Sequence, residues 1–353
     1  MLFKPRNILV TGGAGFIGSN FIRILLSEDC GINKLINLDL LTYAGSLDNL
    51  QDLPENDVYQ FIQGDIQDAQ LVENILHQHQ IDTIIHFAAE SHVDRSIEGP
   101  AAFIQTNILG TFVLLEAAKK YWLTEKKWDE THCRFHHVST DEVYGSLEPE
   151  ARPFTEKTAY APNSPYSASK ASSDHLVRSY HHTYGLPITM SHCSNNYGSY
   201  QHAEKFIPTI IRACREKQPI PVYGDGSNIR DWIYVDDHCL GILAILRQGK
   251  NGETYNLGGN CEMSNIAVAH EICALMDTLH PWKRPHDTLI QFVKDRPGHD
   301  WRYAIDSTHA KMMLAWESQT TFIEGMKQTI PFFMKTISSL SVSSCHEDPC
   351  HTH

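Results

Sequence analysis

Residues 11–20 read TGGAGFIGSN, directly after the β-branched run NILVT (7–11) and at the head of a helix-periodic segment. A strand, a glycine turn and a helix in that order form a cradle for a diphosphate. Gly12 permits the tight turn, Gly15 lets backbone approach the pyrophosphate, and Gly18 allows the helix to pack closely on the strand. Phe16 and Ile17 lie inside the same loop. Asp39 closes the next predicted strand, LINLD (35–39), 21 residues after Gly18. An acid there accepts hydrogen bonds from ribose hydroxyls and repels a 2′-phosphate, which favours NAD over NADP. Asp65 and Ile66, in GDI (64–66), end the third strand and are placed to touch adenine.

Outward from that loop, strand and helix patterns alternate. YQFI (59–62), TIIHFAA (83–89), CRFHHVS (133–139) and ITMSHC (188–193) read as strands, and 16–27, 68–79, 100–121 and 165–184 as helices. Such alternation predicts an α/β fold, a Rossmann-like doubly wound parallel sheet covered on both faces. After residue 195 the pattern becomes mixed. Helical stretches at 204–217, 236–248, 264–279 and 321–336 are separated by PVYG, IRDWIYV, TYNLG, LIQFV and RYAI. The expected organisation is a cofactor domain over 1–195, regaining a strand and helix from about 229–257. A smaller α+β substrate-binding lobe takes 196–338, and 339–353 form a disordered tail.

The chain has 353 residues, 42% of them hydrophobic and 20% charged, as in an ordinary globular protein. A formal net charge of −13 argues against a nucleic-acid footprint, which needs a basic face. No apolar run approaches the roughly 18 residues of a membrane span. The first residues run straight into a strand, leaving no room for a signal peptide. The nine cysteines are scattered, which fits reduced thiols in the cytoplasm. The closing Cys345, His346, Cys350, His351 and His353 lack a second folded half for a zinc site, so no metal centre is expected.

Tyr166-Ser-Ala-Ser-Lys170 sits on the predicted 165–184 helix, where i and i+4 share a face. A lysine ammonium beside a phenol lowers its pKa and makes it a usable base. The strand ending Ser139-Thr140 supplies a hydroxyl for the alcohol being oxidised, and it runs on into two acids, Asp141 and Glu142.

Together with LTYAGSLDNL, HFAAESHVDRSI, SPYSASKASSDHLV, CSNNYG, RDWIYVDDH and DRPGHDWRYAID, these segments resemble the bacterial dTDP-glucose 4,6-dehydratases of the extended short-chain dehydrogenase/reductase superfamily. The similarity runs from about residue 6 to about 335. It implies oxidation of a glucose at C4 by NAD, loss of water across C5 and C6, and return of the hydride to C6. Such an elimination needs a base and an acid, and the resemblance assigns them to Glu142 and Asp141. Two close carboxylates in a dry site favour one shared proton, whose owner the sequence leaves open.

The resemblance also implies Ser91, Thr140, Asn195, Lys205, Phe206, Pro221, Tyr223, Arg230, Asn265, Arg296 and His299 for the nucleotide-sugar. Thr42, Ala88, Ala89, Ser91, Thr106 and Asn196 join the glycine loop, Tyr166 and Lys170 around NAD. His92 and Arg95 are expected to serve local structure. A homodimer is implied, through the helices at 100–121 and 165–184. Leu40 departs from the pattern, since relatives usually place there a lysine that reaches the adenosine phosphate. A dehydratase for another nucleotide-sugar, a 4-epimerase and a non-catalytic NAD-binding scaffold are the alternatives.

Overall fold

The computed structural model describes residues 3–27, 30–54, 57–295 and 298–343. Among the described residues twelve strands are formed: β1 (Asn7–Thr11), β2 (Lys34–Asp39), β3 (Tyr59–Gln63), β4 (Thr83–His86), β5 (Arg134–Thr140), β6 (Ile188–Cys193), β7 (Asn195–Tyr197), β8 (Ile220–Tyr223), β9 (Ile229–Tyr234), β10 (Thr254–Leu257), β11 (Glu262–Ser264) and β12 (Ile290–Val293). Seven of them make one parallel sheet in the order β10-β6-β5-β4-β1-β2-β3. The order reverses at β1 and β4, and the crevice beyond the carboxyl ends of such a pair is where this architecture binds ligands.

Every residue of β4, β5 and β6 is buried, as a strand covered on both faces must be. Alternate residues of β1 serve opposite layers. Leu9 joins helices 69–78, 101–125 and 165–184 on one face, while Ile8 and Val10 join helices 16–27 and 235–248 on the other. A separate core holds the second lobe, where helices 206–216, 265–279 and 322–343 pack around Ile210, Trp232, Ile272 and Ile330. Small sheets β11-β9-β7 and β12-β8 complete that lobe.

Several expectations shift. The strand read over 83–89 stops at His86: the Phe87 amide makes the last rung, to Thr11 O, and Ala88 leaves the ladder beside Gly12 and donates to the Thr11 hydroxyl instead. RYAI makes only isolated bridges, Arg302 to Ile229 and Ile305 to Phe154. The strand regained by the large sheet is β10, whereas β9 pairs with β7 and β11. The last helix extends to Ser343, into the stretch expected to be disordered; the Cys/His cluster at 345–353 lies outside the described residues.

The helix Ala101–Glu125 is long and apolar enough to cross a membrane by length and composition. Here its Leu114, Leu115, Ala118 and Trp122 are buried against the sheet. Two of its segments, Ile104–Gly110 and Lys119–Glu125, wind as π-helix.

Candidate active site

One cavity runs along the carboxyl ends of β1, β2, β4, β5 and β6. It is lined by Gly12, Gly15, Phe16, Ile17, Gly18, Asp39, Thr42, Asp65, Ile66, Ala88, Ala89, Ser91 and Thr106, then by Thr140, Asp141, Glu142, Tyr166, Lys170, Asn195, Asn196 and Lys205. The glycine loop is as tight as its spacing implies. Gly12 has φ +73°, and a Cβ there would meet the Ala88 backbone at 2.6 Å. A Cβ on Gly18 would strike the Gly12 carbonyl oxygen at 2.3 Å, whereas one on Gly15 would meet only that oxygen, at 3.2 Å. Gly15 therefore leaves the approach to the helix 16–27 open, and the first turn of that helix carries no acid to repel a phosphate. Asp39 accepts from the backbone amides of Ala14 at 2.9 Å and Leu41 at 2.8 Å, which fixes its carboxylate at the cavity wall. This cradle fits a dinucleotide.

Helix Pro165–Tyr184 begins with a reciprocal Ser164/Ser167 cap and Pro165 in its first turn, and ends at Gly185 in the left-handed conformation. That framing places Tyr166 and Lys170 one turn apart on the buried face. Lys170 Nζ donates to the Val138 carbonyl at 2.8 Å. The Tyr166 phenol does not sit low, as its spacing from Lys170 suggests. Burial raises it well above the usual tyrosine value, Glu142 adds to this, and the hydrogen-bonding Thr140 hydroxyl opposes it. Burial also lowers Lys170, and its ammonium is committed to the Val138 carbonyl.

Thr140 ends β5 and caps the short 3₁₀ turn Asp141–Tyr144, accepting from Glu142 N at 3.3 Å. The turn sends the two acids into different surroundings. Asp141 is buried, and its Oδ2 has no hydrogen-bond partner among the described residues. Burial, then Glu142 and Asp231, push its carboxyl well above the usual range, against the pull of Arg230 and Thr140. Glu142 is only half-buried. Of the two, Asp141 is the one its surroundings push to hold a proton.

The second lobe contributes unevenly. Asn195, Asn196 and Lys205 reach the cavity, and Lys205 Nζ donates to Ser91 O at 3.0 Å. Asn196 is fixed by Ser194 O at 3.0 Å and His238 Nδ1 at 2.8 Å, while Asn195 Oδ1 is buried without a hydrogen-bond partner among the described residues. Phe206, Pro221, Tyr223, Arg230, Asn265 and His299 do not line it. Phe206 packs on the lobe core. Tyr223 is exposed, with the His299 ring edge-on at 6.2 Å, and His299 Nδ1 lies 2.7 Å from Asp295. The amide of Gly226 donates to Tyr223 O and that of Asn265 to Asn228 O, so one turn joins these segments.

Arg230 is buried rather than a surface ion pair. Its guanidinium donates to Ile229 O and Asp300 O and lies over the Tyr303 ring at 4.3 Å. Arg296 lies outside the described residues. Arg95 does more than local duty, since it pairs with Glu204 at 2.9 Å and covers the cavity-lining Tyr43 at 4.0 Å.

Sequence reasoning missed Tyr43, Glu90, Cys193, Gln201 and His202 as lining residues. It also missed Asn107, whose amide clamps the Glu90 backbone from both sides at 2.8 and 3.0 Å and donates to Ser169 at 2.8 Å. Tyr43 was within reach of reading, because it follows Thr42. Nothing local marks Asn107. Among the described residues no group of side chains could hold a metal ion, and Cys133, Cys193, Cys214, Cys239, Cys261 and Cys273 form no disulfide.

The model of the GDP-mannose 4,6 dehydratase family matches residues 9–329. The chain is 54% identical over 328 residues to the dTDP-glucose 4,6-dehydratase of Xanthomonas campestris pv. campestris (strain B100), covering 92% of each. Among solved structures, the dTDP-glucose 4,6-dehydratase of Streptomyces venezuelae, with NAD bound, superposes with a TM-score of 0.85 at 42% identity, covering 94% of this chain and 98% of that one. The corresponding protein of Bacillus anthracis, in complex with NAD, gives 0.82 at 43% identity over the same shares. Fold, cavity and sequence lead to one assignment: this chain belongs to the nucleotide-sugar 4,6-dehydratase family, alongside the dTDP-glucose 4,6-dehydratases.

Proposed function

We propose that this protein is an NAD-dependent dTDP-glucose 4,6-dehydratase, a hydro-lyase that converts dTDP-glucose to dTDP-4-keto-6-deoxyglucose and water. One observation carries the reading: a buried Asp141, its carboxyl pushed well above the usual range, stands beside Glu142 in the same cavity as Tyr166 and Lys170. Oxidation alone needs only the tyrosine and lysine; elimination of water needs an acid and a base as well.

The glycine loop, Asp39, Thr42, Asp65, Ile66, Ala88, Ala89, Thr106 and Asn196 hold NAD, which supplies the acceptor for the C4 hydride and its donor to C6. Tyr166 takes the C4 hydroxyl proton, aided by Thr140, while Lys170 keeps positive charge beneath the developing ketone. The ketone acidifies C5–H. Glu142 removes that proton as Asp141 gives its own to the C6 hydroxyl, which leaves as water. A proton then returns to C5 from Glu142, the C4 oxygen stays a ketone, and the proton held by Tyr166 is lost to solvent while Asp141 is reprotonated. The positive charges of a bound oxidised cofactor and of Lys170 would oppose the upward push of burial on Tyr166, as a proton acceptor requires.

Ser91, Asn195 and Lys205 bind the sugar nucleotide on the cavity side. Tyr223, Arg230, Asn265, Arg296 and His299 bind its nucleotide half, with Phe206 and Pro221 behind them. The organisation is a cofactor domain with a nucleotide-sugar lobe. It works in the cytoplasm as a homodimer, and exposed Ile104, Leu109 and Phe112 on the 101–125 helix support that face as the interface. Steady-state assays with dTDP-, UDP-, GDP- and CDP-glucose test the substrate. Turnover of dTDP-glucose to a 4-keto-6-deoxy product, and poor turnover of the others, is expected; preference for another base would overturn the substrate assignment.

A further inference from the structure

Beneath the cavity floor, the helix Pro165–Tyr184 carries Asp174 one turn beyond Lys170, and both side chains are buried. The Asp174 carboxylate accepts from Ser139 Oγ at 2.9 Å and faces Nε2 of His137 and of His192, each at 3.1 Å. Burial pushes this carboxyl upward, but the His137 and His192 contacts outweigh it and hold it well below the usual range. Burial and Lys170 push His137 down to about 4, against the opposing pull of Asp174.

An ammonium buried as deeply as Lys170 is costly unless an anion compensates it. The titratable groups around it are His86 on β4, His137 on β5, Cys193 on β6, and Tyr166 and Asp174 on its own helix. His86 and Cys193 are both held neutral by burial. Asp174 is the member of this set held as an anion. Around Asp174 itself stand His137, Ser139, His192, Tyr144 and Tyr160, with Arg178 beyond Tyr160.

We infer that Asp174 is a positioning residue for catalysis: it is the counter-charge that keeps Lys170 protonated in a dry pocket. Through Ser139 it also ties the helix of Tyr166 and Lys170 to the strand end bearing Thr140, Asp141 and Glu142. The inference rests on the proposed role of Lys170.

The test is the pH profile of kcat for Asp174→Asn, which keeps shape and hydrogen-bonding capacity but removes the charge. The alkaline limb, where Lys170 loses its proton, should move down by about one pH unit or more, with KM for the sugar nucleotide little changed. Asp174→Glu should restore the limb even where kcat stays reduced. A uniform fall in kcat at every pH, with the limb in place, would overturn the inference. If Asp174→Asn does not fold, the comparison is with the Lys170→Met/Asp174→Asn double variant, judged by melting temperature. Recovery in the double variant supports the charge pairing, since no lone ammonium is left buried; no recovery overturns it. Lys170→Met alone should be inactive, and an active Lys170→Met would remove the underlying role of Lys170 instead.

Discussion

Asp141 and Glu142 are chain neighbours in unlike environments: Asp141 is buried with a carboxylate oxygen that has no hydrogen-bond partner among the described residues, and Glu142 is half-buried in the same cavity. A 3₁₀ turn capped by Thr140 produces the difference, because it rotates successive side chains away from one another. Different surroundings push paired carboxyls toward different protonation states, and acid and base roles can then be divided between them.

Glu142→Gln removes the base and keeps the shape. Exchange of the sugar C5 proton should fall by about 10²–10⁴-fold, while bound NAD is retained. Proton NMR of the C5 signal in D₂O, beside cofactor absorbance of the purified variant, measures both. Exchange at the wild-type rate would take the base role from Glu142.

Asp141 should carry a stability cost that grows with pH. Its folded pKa lies above the unfolded value of 3.8, so the folded state holds its proton more tightly. Stability from this group is therefore full below pH 3.8 and is lost as pH rises toward the folded pKa. Asp141→Asn lacks that loss. Its melting temperature should gain on the wild type between pH 5 and pH 8; a difference independent of pH would contradict the assignment.

Leu40 is 44% exposed and lines the cavity next to Asp39. Leu40→Lys would add a cation for the adenosine phosphate. At an exposed site such a contact is worth about 0.2–1 kcal/mol, so NAD affinity should rise up to roughly fivefold, and less in high salt. Isothermal titration at two ionic strengths reads the effect.

Phe112 is 43% exposed on the 101–125 helix, whereas Leu114 and Leu115 are buried. Phe112→Asp places a charge in the proposed dimer face. Sedimentation velocity should show a folded monomer, and an undisturbed dimer would place the interface elsewhere.

The parallel sheet could be read from sequence because its central strands are buried on both faces and appear as short apolar or β-branched segments between periodic helices. The helix expected near 165–184 is observed over Pro165–Tyr184, where Ser164, Pro165 and Gly185 supply its ends. Short strands such as β7 and β11 have three residues each and carry no such pattern. Of the proposed site, the residues near the glycine loop and β5 share one cavity because their motifs sit at adjacent strand ends. Arg230, which the resemblance assigns to the nucleotide-sugar, has its guanidinium on carbonyls of a distant segment, Asp300 and Trp301, a placement no local pattern announces. Asn107 acts through a backbone 17 residues away, a relationship that only the fold creates.

The central claim is that the paired carboxylates turn an oxidising site into an eliminating one. Its most direct test is mass spectrometry of the product formed from dTDP-glucose by the purified protein in D₂O. Loss of one water with one solvent deuterium fixed at C5 is the predicted result. A product of unchanged mass, epimerised at C4, would contradict it.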